Sequence, residues 1–102
     1  MAKYSLTNKA VDDLTEIWNY TFEEWSEQQA DKYYHMLIDN FKEIAQNPKL
    51  GKNYDEIMTT LFGLKVTRHI IFYRKISENE VEIIRILHER MDLKNRIKEN
   101  NR

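Results

Sequence analysis

The chain contains no cysteine, which excludes a disulfide framework, a thiolate zinc site and a thiol nucleophile. Its three histidines, His35, His69 and His88, include no pair at the i, i+4 spacing that sets two imidazoles on one metal from a helix. No metal and no cofactor is expected. One proline and two glycines leave little room for disordered segments. No stretch approaches the roughly 18 apolar residues of a membrane span, and MAKYSLT lacks an apolar region behind its lysine. A cytoplasmic protein without membrane contact is expected.

What is present is ample for one core. The 102 residues are 41% hydrophobic, enough for a single two-layer domain over 1–102 and too few for a second core. The net charge of −1 conceals an asymmetry. Residues 1–62 carry six Lys/Arg against eleven Asp/Glu, a balance of −5, and residues 63–102 carry ten against six, a balance of +4. Any polyanion or acidic partner would meet the carboxy-terminal half. The plainer alternative, strands whose lysines and arginines are simply solvated, stays open.

Tyr4 and Leu6 alternate with polar neighbours as in a short half-buried strand. After Thr7, an N-cap residue, Val11, Leu14, Trp18, Phe22 and Trp25 recur at three- and four-residue steps, with Ala10, Ile17 and Thr21 widening the stripe. Asp12, Asp13, Glu16 and Glu23 occupy the other face. Ser26 and Gln29 have capping-box spacing and start a second helix, whose apolar face runs from Ala30 through Tyr33, Tyr34, Leu37, Ile38, Phe41 and Ile44 to Ala45. Asn47-Pro48 ends it, because the residue before proline disfavours the helical conformation. Two amphipathic helices joined this tightly form an antiparallel hairpin.

The period then changes. Residues 55–61 read as a short helical turn, and Leu64 and Val66 open a strand. The continuous apolar run His69 to Ile76 suits a strand covered on both faces, and Val81 to His88 returns antiparallel after a turn at 77–80. The order is β-α-α-β-β-β, an α+β domain with a helical hairpin on a small, mostly antiparallel sheet. The ordered core spans about 3–92, and 93–102 is a polar helix or tail. Trp18, Phe22, Tyr34, Leu37, Phe41, Ile70, Phe72, Ile84 and Ile86 are expected to share one core between hairpin and sheet.

HIIFYR (His69 to Arg74) and IIRILHERMD (Ile83 to Asp92) resemble two blocks of ParE-type toxins. So does AVDDLTEIWNYTFEEWSEQQADKYYHML (Ala10 to Leu37), followed by Asn47-Pro48 and Leu50-Gly51. The four in order span about Tyr4 to Asp92 and resemble the ParE branch of the ParE/RelE toxin-antitoxin superfamily. The resemblance implies a toxin neutralised by a ParD-like antitoxin encoded beside it. It also implies a target: ParE-like members are associated with poisoning DNA gyrase, whereas RelE-like members cut mRNA on the ribosome.

RNA cleavage without metal needs a group to activate the 2′-hydroxyl, cations for the phosphorane and an acid for the leaving oxygen. Lys65, Arg68, Arg74, Arg85, His88 and Arg90 lie on or beside the predicted sheet, and Arg68, Arg85, His88 and Arg90 would form a nuclease set. The RelE-like pattern is nevertheless broken. Leu87 stands where its glycine would be, Glu89 where its arginine would be, and no tyrosine follows Tyr73. An anionic Glu89 would repel a phosphate. A binding toxin is therefore favoured, contacting its target through Arg68, Arg85, His88, Arg90, Lys94 and Arg96, without sequence-specific DNA binding by this chain alone. A ribosome-dependent endoribonuclease and a degenerate module that only binds antitoxin are the alternatives.

Each candidate also has a structural reading. His88 is a strand-end residue able to bond Asp92, and His69 precedes a buried strand. Arg85 either crosses an open sheet face or pairs with an internal carboxylate, and Arg74 suits an ion pair. Trp18 and Trp25 belong to the helical stripe, and His35 faces solvent.

Overall fold

A computed structural model describes residues 2–99. Its elements are β1 (Lys3–Leu6), α1 (Asn8–Glu24), α2 (Glu27–Gln46), β2 (Lys52–Asn53), β3 (Phe62–Val66), β4 (His69–Ser77), β5 (Glu80–His88) and α3 (Leu93–Glu99). The helical hairpin and the three long carboxy-terminal strands are where the periodicity put them. Thr7 Oγ1 accepts from the backbone N–H of Ala10 at 3.0 Å and Ser26 Oγ from that of Gln29 at 3.1 Å. Each satisfies a helix-start donor, worth about 1 kcal/mol.

The sheet order is β1-β5-β4-β3-β2. β1 lies at an edge and runs parallel to β5, and all other neighbours are antiparallel. β2, of two residues, is absent from the sequence expectation because so short a pair has no periodicity to read. Residues 55–61 form turns closed by Tyr54 N–H to Leu61 O at 2.8 Å and Met58 N–H to Tyr54 O at 3.2 Å. One i→i+4 bond, with the i→i+3 bonds of Ile57 N–H to Tyr54 O and Leu61 N–H to Met58 O, is what the segment keeps of the expected turn of helix.

The expected single core is two. Leu37, Phe41, Ile71, Tyr73, Val81, Ile83 and Ile86 pack between hairpin and sheet. Ile70, Phe72, Ile84 and Leu87 point the other way, against Leu61 and α3's Ile97. The cause is partly alternation along β4, which buries both faces from Ile70 to Tyr73 but leaves Arg74 to Ser77 exposed, Ile76 included, against the expected cover to Ile76, and partly a bulge in β5. Phe72 pairs with Arg85 and Tyr73 with Ile83, so Ile84 is the extra residue. Beyond it the parity reverses: Val81 and Ile83 face the hairpin before the bulge, Ile86 after it. Phe22 and Tyr34 are exposed and Trp18 is half-buried, since the helical stripes are wider than the sheet beneath them.

The polar carboxy-terminal segment is helical over Leu93–Glu99 and docks through the fully buried Ile97; positions 100–102 of the expected tail lie outside the described residues. Where β1 ends, α1 takes over the edge of β5. Thr7 Oγ1 donates to Ile84 O at 2.8 Å, and the N–H of Ile86 donates to Asp13 Oδ2 at 3.0 Å. Side chains thus satisfy a strand edge that would otherwise present unpaired groups. No helix among the described residues is long and apolar enough to cross a membrane.

Candidate functional site

The β3–β4 turn and the end of β5 lie side by side, because Val66 pairs with His69 and His69 with His88. Thr67 is left-handed at φ 57°, a conformation that costs a β-branched residue on the order of 1 to 2 kcal/mol. It places Arg68 at the lip of a cleft of about 640 Å³ bounded by α1, the start of α2 and these strand ends. Ile17, Tyr20, Trp25, Ile86 and Met91 give the cleft apolar walls, and Tyr33, Arg68, His69 and His88 give it a polar end. Trp25 is 75% exposed. It caps α1 instead of joining the core, which corrects its assignment to the buried stripe.

Within the polar end the protons can be placed. Tyr33 Oη lies 2.7 Å from His69 Nδ1 and 3.4 Å from Val66 O. The Thr67 side chain and the Arg68 backbone also hydrogen-bond to this hydroxyl, and burial, the largest influence, raises its pKa. The short contact takes the hydroxyl proton, so the His69 ring carries its own proton on Nε2. Burial first, and then the neighbouring His88, push the His69 pKa down to about 4; it is neutral at pH 7. His88 Nδ1 accepts from the N–H of Arg90 at 3.1 Å, which likewise leaves its proton on Nε2. This bond replaces the expected partner Asp92, whose carboxylate caps α3 through Asn95. The two imidazoles meet edge to face at 5.5 Å.

The cationic candidates do not form one constellation. Arg85 is 6% exposed. Its Nε and Nη2 donate to the two carboxylate oxygens of Asp13 at 2.7 and 2.9 Å, and Nη1 donates to Arg96 O at 3.1 Å. The internal-carboxylate alternative is therefore the one realised, and Arg85 leaves the exposed set. Lys65 pairs with Glu89 at 2.9 Å, holding that carboxyl below the usual range, and Arg74 approaches Glu82 at 3.9 Å. Arg68 and Arg90 are exposed and make no ion pair among the described residues. Lys94 and Arg96 are exposed on α3, which packs on the opposite sheet face. His35 is exposed on α2, as expected, its Nδ1 2.8 Å from Asp31 O. Among the described residues no three His, Asp or Glu side chains group closely enough to hold a metal.

Tyr33, Asp13 and the cleft walls were not among the sequence candidates. Trp25 carried the one available signal, an aromatic at the point where the helix breaks; nothing local marked Asp13 as the partner of a residue 72 positions away.

The family model described as "ParE toxin of type II toxin-antitoxin system, parDE" matches residues 4–93. The chain is similar to Toxin ParE1 of Mycobacterium tuberculosis, 35% identical over 92 residues that cover 90% of this chain and 94% of that one. Its fold is similar to that in the chromosomal ParDE toxin-antitoxin system from P. aeruginosa, with a TM-score of 0.73 at 20% identity over 86% of this chain and 96% of the other. It is also similar to a chain of the toxin-antitoxin complex RelBE2 from Mycobacterium tuberculosis, with a TM-score of 0.65 at 16% identity over 85% and 96%. At these identities the two likenesses show the fold alone and do not choose between activities.

Proposed function

The chain belongs to the ParE toxin family of type II toxin-antitoxin systems, and on that premise we propose that it acts in the cytoplasm by binding DNA gyrase, without cutting RNA, and is neutralised by a ParD-like antitoxin. The observation that carries the choice is the fate of Arg85. Nuclease chemistry needs cations and an acid-base group converging on one phosphate. Of the four residues that would supply it, Arg85 is buried and neutralised by Asp13. The face of the sheet under α3 is apolar, and water-excluded aliphatic side chains offer a scissile phosphate nothing. Arg68, His88, Arg90, Lys94 and Arg96 remain as exposed or half-exposed target contacts.

Two features suit an antitoxin. The hairpin exposes Val11, Phe22 and Tyr34, apolar surface for an amphipathic helix, and β1 and β2 leave sheet edges for an added strand. An antitoxin tail that is disordered alone would fold on either.

Purified chain is expected to inhibit gyrase supercoiling and to leave ribosome-bound mRNA intact. Arg90→Ala should weaken inhibition by about 1 to 3 kcal/mol if the guanidinium is desolvated at the interface, and His88→Ala should do less, since binding transfers no proton. Loss of a general acid or base costs on the order of 10² to 10⁴ in rate. Site-specific mRNA cleavage abolished by His88→Ala, with gyrase unaffected, would establish the nuclease instead.

A further inference from the structure

We propose that the cleft between the hairpin and the strand ends is a peptide-docking site, taking a protein segment that presents one large apolar side chain and, beside it, one carboxylate. The apolar requirement follows from the walls. Tyr20, Trp25 and Met91 are exposed at 64, 75 and 40%, and with Ile17 and Ile86 they line a concavity of about 640 Å³. That is within the roughly 300 to 1,000 Å³ of ligand sites and suits one or two side chains. Exposed aromatic anchors around a pocket are the usual composition of binding hot spots.

The carboxylate requirement follows from the donors. His69 Nδ1 is taken by Tyr33 and His88 Nδ1 by the Arg90 N–H, so each ring has an Nε2–H left to give. Arg68 stands beside them with no ion pair among the described residues. Three donors without an internal acceptor at one end of an apolar cleft complement an anionic oxygen pair. The charge must also be small. Glu16 and Asp13 line the same cleft; Asp13 is already matched by Arg85, so the net fixed charge contributed by Glu16 and Arg68 is close to zero. A nucleic acid or polyphosphate gains little there, whereas a single carboxylate next to Arg68 gains a charge-assisted bond. The left-handed Thr67, φ 57°, is the ordinary geometry of the two-residue turn between Val66 and His69, and it fixes Arg68 at the lip. The occupant is defined by its chemistry, and the inference does not depend on gyrase being the target.

The test titrates the full chain with acetyl-Ala-Leu-Phe-Glu-Ala-amide and with its Glu→Gln analogue. Binding is read from amide shifts in the wild-type protein and from Trp25 emission in a Trp18→Phe background. The Glu peptide should saturate, blue-shift Trp25 and move residues 67–69 and 86–91, with the Gln peptide about fivefold weaker or more. Arg68→Gln, a change in an exposed turn, should remove the difference between the peptides, and Lys75→Gln, at the far end of β4, should preserve it. Equal affinities, failure of both peptides to saturate, or shifts confined to the outer face of the hairpin would overturn the proposal. Displacement of the peptide by equimolar adenosine monophosphate would overturn it in favour of a nucleotide site.

Discussion

Asp13→Ala removes more than a charge. The carboxylate accepts two bonds from Arg85 and one from the N–H of Ile86, so the substitution leaves a guanidinium whose side chain is 7% exposed beside an unsatisfied strand amide. Taking one partner from a buried pair costs about 3 to 5 kcal/mol, because the surviving charge stays desolvated. Small domains hold about 5 to 15 kcal/mol in total, and the melting temperature should fall by at least about 12 °C. Arg85→Met should be milder, since Asp13 would keep the bond from the Ile86 amide. The double variant Asp13→Ala, Arg85→Met should be more stable than Asp13→Ala alone, the uncompensated cation having gone. Urea unfolding of the four proteins closes the cycle. A loss under about 1 kcal/mol for Asp13→Ala, or losses that simply add, would show that the pair is uncoupled and refute the argument. The same data protect the functional test: a variant that has lost toxicity because it unfolds is distinguished from Arg90→Ala, which touches only surface.

Tyr73 Oη donates to Pro48 O and accepts from the N–H of Gly51, both at 2.8 Å; Tyr73→Phe should cost about 1 to 3 kcal/mol by urea denaturation, and an unchanged midpoint would mean that water replaces both bonds. With His69 held near a pKa of about 4 when folded against about 6.5 unfolded, the unfolded chain binds the extra proton between those values. The ring's contribution is therefore intact above pH 6.5 and lost as pH falls toward 4, on the order of 1 to 2 kcal/mol once screening of its partly exposed ring is allowed for. His69→Gln should flatten the stability slope across that window, and parallel slopes would contradict it. Thr67→Asn should raise stability by about 0.5 to 1 kcal/mol by relieving the left-handed strain; a loss would mean that the Tyr33 contact outweighs it.

The helices were legible because their information is local. Period, cap and proline stop lie within the segments they define, and Thr7, Ser26 and Pro48 act where the sequence suggests. The apolar run from His69 signalled a strand covered on both faces, which holds only as far as Tyr73, and the nine chosen core residues were assigned to a single layer. The second layer depends on α3, whose anchors Leu93 and Ile97 are set in a polar stretch. The bulge was illegible for a different reason. Whether Ile84 is paired or extra is decided by how β4 and β5 align on either side of it, and no residue in VEIIRILH marks the position. Arg85 was legible to the level of two alternatives, because an arginine in a strand demands an acceptor, but the acceptor lies on α1 and only the assembled edge of β5 brings it near.

That one bulge also explains why the candidate site is where it is. In a regular strand Val81, Ile83, Arg85 and Leu87 would share the hairpin face, and the ends of the two central strands would meet there as plain hydrophobic packing. Inserting Ile84 exchanges the faces of everything after it. Ile86 and His88 turn toward the hairpin, which sets His88 against His69 at 5.5 Å and furnishes the cleft with its polar end. Arg85 and Leu87 turn toward α3, where Leu87 joins the second core and the guanidinium reaches Arg96 O as well as Asp13. The one extra residue thus removes a cation from the surface available for phosphate chemistry and builds a cleft whose two imidazoles stand beside Arg68. Both consequences favour recognition of a protein over cleavage of RNA, because recognition needs fixed donors beside apolar walls and cleavage needs mobile protons beside converging positive charge.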